Sequence, residues 1–138
     1  MFSRNQEQEK IMLVIYQYLF YKRMNQEDLV QILENVFELP YNDIPLFSKE
    51  VCVKTLLNQD VIDDEISKNL VKWTLNRLNL VSHALLLFAI GEYRYANKEI
   101  EKAEIINISV ELAKKYLDDN EYKFINAILD KILWQMLR

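Results

Sequence analysis

Gly91 is the only glycine in 138 residues, and that scarcity constrains the fold more than any motif does. A soluble chain of this length carries about ten. Tight hairpin turns need Asn-Gly, Asp-Gly or Gly-Gly because their central residues take positive φ. A protein built of β-hairpins is therefore improbable. Phosphate-cradling loops of the GxGxxG and GxxxxGKS kinds are excluded as well, because only glycine lets the backbone approach a phosphate that closely. With two prolines, Pro40 and Pro45, little breaks a helix once it has started.

Hydrophobic residues make up 51% of the chain and charged residues 28%, a globular balance. No repeat, low-complexity tract or linker marks a boundary, so residues 1–138 are expected to form one domain. Cys52 permits no internal disulfide, and together with the lone His83 it cannot supply the four ligands of a structural zinc site. The formal charge of −4 gives no global attraction to nucleic acid or to an anionic membrane, so either would need a local basic patch. Residues 1–10 are polar and hold two glutamates, unlike the start of a signal peptide. The charge-free stretch 78–91 is shorter than the ~20 residues that span a bilayer. A soluble, cytoplasmic protein with no membrane association is the expectation.

Apolar residues recur at three- and four-residue spacing almost throughout, which predicts helices. The first covers 5–22, with Ile11, Ile15, Tyr18 and Leu19 on one face. Asn25 can cap the second, which carries Leu29, Ile32, Leu33, Val36 and Phe37 and ends at Pro40. Pro45 suits the first turn of a third helix that reaches Gln59. Asp60, Asp63, Asp64 and Glu65 read as the acidic start of a fourth helix with Ile62, Ile66, Leu70 and Trp73 along its stripe. No glycine offers the turn of a calcium loop there, so no metal or cofactor is expected. The fifth helix, 79–93, is apolar nearly all round and belongs in the centre of the molecule. His83 within it reads as a satisfied or partly exposed histidine. A sixth helix covers 103–116, and Asp118 with Glu121 reads as a capping-box-like start for the seventh. The sum is an all-α protein of about seven helices, with no nucleophile and base in a recognisable pattern.

Two blocks near the end resemble the C-terminal signature of the NusB family of bacterial transcription antitermination factors. They are Ile106-Asn107-Ile108-Ser109-Val110-Glu111-Leu112-Ala113-Lys114-Lys115-Tyr116 and Lys123-Phe124-Ile125-Asn126-Ala127-Ile128-Leu129-Asp130-Lys131. Upstream, Ala84-Leu85-Leu86-Leu87-Phe88-Ala89-Ile90-Gly91-Glu92 is similar to the family's A-x-L-R-x-A-x-x-E helix, and Ile15-Tyr16 falls where the family has Leu-Tyr. The resemblance implies two small packed helical bundles and no catalysis. It also implies binding of boxA-like single-stranded leader RNA together with the small-subunit ribosomal protein NusE, within the RNA polymerase antitermination complex of ribosomal RNA operons.

Departures from the pattern bear on that role. The family's arginine-rich opening, R-R-x-A-R, is here Arg4-Asn5-Gln6-Glu7-Gln8, which removes phosphate contacts and should flatten the salt dependence of binding. Lys10, one turn on, can compensate in part. Phe124 matches the family's aromatic near the RNA. An aromatic face can stack on an unpaired base, and a phenylalanine on a helix stripe can equally be plain core. Leu87 and Ile108 replace the family's arginine and glutamate, a swap of a buried ion pair for two apolar side chains that need not destabilise. On the resemblance, the RNA-binding residues are Arg4, Lys10, Tyr16, Lys123 and Phe124. The alternative is a scaffold of the same fold that has lost RNA binding, and a third reading is an accessory to an RNA-modifying enzyme acting in trans. The apolar end Trp134, Met136 and Leu137 can close over the protein's own first helix or bury against a second chain.

Overall fold

A computed structural model describes residues 1–72 and 74–136, and among them the chain forms seven α-helices and no strand. Helix α1 spans Arg4–Lys22, α2 Leu29–Phe37, α3 Leu46–Leu57 and α4 Gln59–Lys68. Helix α5 spans Leu80–Gly91 and runs on through a wider turn at Glu92–Ala96, followed by α6, Lys102–Tyr116, and α7, Asp119–Gln135. No helix among the described residues is long and apolar enough to cross a membrane.

Short polar side chains start most of these helices. Ser3 opens α1 with a reciprocal box, its hydroxyl accepting from the Gln6 N–H at 3.1 Å while the Gln6 side chain accepts from the Ser3 N–H at 2.8 Å. Asp28, not Asn25, caps α2 by accepting from the Gln31 N–H. Asn25 instead sits in the turn after α1 with φ 55°. Pro45 precedes α3 as its cap, one residue earlier than the first-turn position expected of it. Helix α4 ends at Lys68, so Leu70 lies beyond it; Trp73 and Leu137 lie outside the described residues.

Helix α5 is the axle. Every residue from Ala84 to Gly91 is buried, and α1, α3, α4, α6 and α7 all pack on it. Helix α1 packs on α2, α3 and α5 in one bundle, α6 and α7 pack on each other and on α5 in the other, and α4 packs on α5 and α3. Gly91 is where α5 meets α3: a Cβ there would stand 2.7 Å from the Thr55 Cβ. Leu87 and Ile108 both join the core, the first fully and the second partly buried, in the two helices α5 and α6 that pack together.

Three of the four acidic residues of α4 are spent on neighbours. Asp63 lies 2.6 Å from His83 Nε2, Asp64 pairs with Lys68, and Glu65 pairs with Arg94. At the far end Met136 is buried, and Lys102, at the start of α6, donates to its carbonyl at 3.2 Å.

Candidate nucleic-acid interface

The depleted arginine run of α1 has a structural reason. Helical spacing turns positions 7 and 8 inward with Ile11, and Glu7 and Gln8 are 8% and 0% exposed. Glu7 accepts from the Ser48 hydroxyl at 2.7 Å, and Gln8 donates to Glu92 at 2.8 Å. Glu92, fully buried at the end of α5, also accepts from Asn97 at 3.0 Å. Burial pushes its carboxyl above the usual range, and these hydrogen bonds together with the charge of Arg4 offset only part of that. This part of α1 braces the fold and presents little charge to solvent.

The other α1 residues are partly engaged too. The Arg4 guanidinium lies 3.4 Å over the Phe47 ring. Lys10 donates to the Val36 carbonyl at 3.3 Å, where a cation suits the C-terminal end of α2, and lies near the Phe2 and Phe37 rings. Tyr16 is half-buried against the core.

Phe124 stands differently. It lies in the second turn of α7, half-buried against the core, and its ring divides two open grooves. The groove on one side, about 290 Å³, is lined by Asn69, Leu70, Val71 and Lys72 and by Ala127, Ile128 and Lys131 of α7. On the other side a groove of about 520 Å³ is lined by Arg77, Leu78, Asn79, Ser82, Asn120 and Glu121. Phe124 is thus both core and surface, packed against the buried cluster and lining both grooves. Neither groove is lined by Arg4, Lys10 or Tyr16.

The cations sort in the same way. Most lysines and arginines are held by a carboxylate, an acceptor oxygen or an aromatic ring. Among the described residues, the side chains with no such partner are Arg23, Lys72, Arg77, Lys123 and Lys131. Of these, Lys72, Lys131 and Arg77 line the grooves beside Phe124, and Lys123 is its chain neighbour. A protein of net charge −4 therefore sets three of these five free cations in the grooves beside Phe124, while Arg23 lies apart, near Leu19 and His83. Sequence reasoning found Lys123 and Phe124 but missed Lys72, Arg77 and Lys131. Lys131 had a legible signal, since it lies seven residues from Phe124 and shares its helix face with Ala127 and Ile128. Lys72 and Arg77 had none, because a connection between α4 and α5 brings them there.

Comparison with known proteins agrees with this architecture. A model of the NusB family matches residues 5–133. The transcription antitermination protein NusB of Clostridium tetani is 42% identical over 117 residues, covering 80% of this chain and 76% of its own. That of Oceanobacillus iheyensis is 31% identical over 131 residues, covering 95% and 98%. A solved structure of T. maritima NusB superposes with a TM-score of 0.84 at 32% identity, covering 99% of this chain and 94% of its own. A complex of the antitermination factors NusB and NusE with double-stranded RNA shares the fold at 23% identity and a TM-score of 0.81, covering 96% and 97%. Helix order, packing around α5 and similarity along nearly the whole length agree: this chain belongs to the NusB family.

Proposed function

We propose that this chain is a non-catalytic RNA-binding adapter of transcription antitermination in ribosomal RNA operons. It holds boxA-like single-stranded leader RNA together with the ribosomal protein NusE, within the cytoplasmic RNA polymerase antitermination complex. The observation that carries this reading is the placement of Lys72, Lys131 and Arg77 in the two grooves that Phe124 lines, with Lys123 exposed next to it in the chain. Unengaged cations bind phosphates without first breaking an internal bond, and an aromatic wall between two grooves offers a stacking face for an unpaired base. Relatives named as transcription antitermination proteins, in Clostridium tetani and Oceanobacillus iheyensis, support the same role. Arg4, Lys10 and Tyr16 supply a second line of contact along α1. It is the weaker one, since Lys10 must leave the Val36 carbonyl to reach a phosphate.

Titration of a boxA-like single strand, with and without NusE, tests the reading. Binding tighter than about micromolar in at least one arrangement is expected. Absence of binding in both overturns it in favour of a protein-interaction scaffold.

A further inference from the structure

Glu121 is the third residue of α7, where a capping box would send its carboxylate back to the backbone N–H of Asp118. Only half of that box forms. The Asp118 side chain accepts from the Glu121 N–H at 3.0 Å, and no bond returns from the Asp118 N–H to the Glu121 carboxylate. Glu121 lines the larger groove beside Phe124. Its Oε2 is buried and meets no donor among the described residues. A buried acceptor without a donor is unfavourable unless a ligand supplies one, and Glu121 shares the lining of its groove with Phe124, so a turn of its side chain would offer the carboxylate to a ligand there.

We propose that Glu121 reads an unpaired guanine of the bound RNA, with the base stacked on Phe124. This inference rests on the RNA-binding reading above and adds to it the site where sequence is recognised. A carboxylate only accepts, and it has two oxygens side by side. Guanine is the one standard base whose Watson–Crick edge offers two adjacent donors, N1–H and N2–H. Cytosine and adenine each set a ring nitrogen acceptor beside their amino group, which would face the second carboxylate oxygen. Uracil offers one N–H flanked by carbonyls. The neighbouring guanine O6 needs a donor, and the Ser82 hydroxyl and Asn120 amide line the same groove. The Asn79 side-chain oxygen accepts from the Val81 N–H at 2.8 Å, which leaves its amide nitrogen as a further donor. Lys72 and Lys131, across Phe124 in a groove that no carboxylate lines, take phosphates and contribute affinity without selecting a base.

The test uses the full chain with NusE present and fluorescence anisotropy at one salt concentration. The probes are oligouridylates of about ten nucleotides carrying one central guanine, or adenine, cytosine or inosine at that position. Inosine keeps N1–H and lacks the N2 amino group. The guanine strand should bind about tenfold tighter than the inosine strand, the scale expected for loss of one good base contact. Glu121→Gln should narrow that gap to about twofold or less, with an unchanged thermal midpoint as the folding control. Lys72→Ala should weaken every strand by the same factor and keep the gap. Equal wild-type affinity for guanine and inosine overturns the proposal, and so does a gap that survives in Glu121→Gln. Failure of the wild-type chain to bind any strand removes the RNA reading itself, a different result from binding without discrimination.

Discussion

Glycine's conformational region is used twice among the described residues, and neither time by glycine. Asn25 and Glu38 both stand at φ 55°, Glu38 ending α2 in the left-handed geometry that glycine adopts most readily. Gly91 has φ −62°, an angle open to any residue, and is needed for space against Thr55. The two sites should respond in opposite directions. Glu38→Gly relieves left-handed strain at an exposed position and should raise stability by about 0.5–1 kcal/mol in urea denaturation. Gly91→Ala gains up to about 1 kcal/mol of helix propensity but drives a methyl group into buried Thr55, and overpacking of about 1–3 kcal/mol should win. Glu92 adds a pH dependence. Burial raises its folded-state pKa above the ordinary glutamate value, so the folded state holds a proton that the unfolded chain releases. Its contribution is complete below about pH 4.5 and is lost as pH climbs through the folded value. Glu92→Gln cannot ionise and supplies N–H donors where Gln8 Oε1 and Glu92 Oε1 are both buried acceptors without donors. Its thermal midpoint, relative to wild type, should rise between pH 5 and pH 8; a constant offset would show that this carboxyl does not titrate with folding.

The helices themselves were legible because each needs only its own pattern. Ile32, Leu33 and Phe37 fall on one stripe and are buried, and the unbroken apolar run of α5 could belong only at the centre. Boundaries set by single side chains were less visible: Asn25 reads as the cap of α2, and the bond from the Gln31 N–H gives that place to Asp28. The interface was legible in part. Lys123 and Phe124 sit in a recognisable block, whereas Lys72 and Arg77 reach the same place only because α4, α5 and α7 converge. The start of α7 ties these levels together, since the Asp118 cap orders the turn that carries Asn120 and Glu121. Asp118→Ala should cost about 1 kcal/mol of stability. Although Asp118 lines neither groove, the substitution should also weaken RNA binding by loosening that turn, measurable as paired losses in denaturation midpoint and anisotropy titration.

At the scale of the whole molecule the decisive quantity is the contrast between a net charge of −4 and a local surplus of free cations. A protein repelled by RNA in the mean can bind it only where phosphates meet the patch, so the salt dependence should count the patch and ignore the total. For a single strand the slope of log K against log salt is about −0.7 for each phosphate neutralised. Lys72, Arg77, Lys123 and Lys131 together therefore predict a contribution of about −3 to that slope, beside the smaller one from Arg4 and Lys10. The double variant Lys72→Ala/Lys131→Ala should bring the patch's contribution to about −1.5 while taking the formal charge from −4 to −6. Lys54→Ala/Lys98→Ala makes the same change in total charge on side chains that are already engaged, by Glu50 and by the Arg94 carbonyl. That variant should leave the slope where it was. If both doubles lower the slope equally, binding follows overall charge and the surface around Phe124 is not where the strand lies.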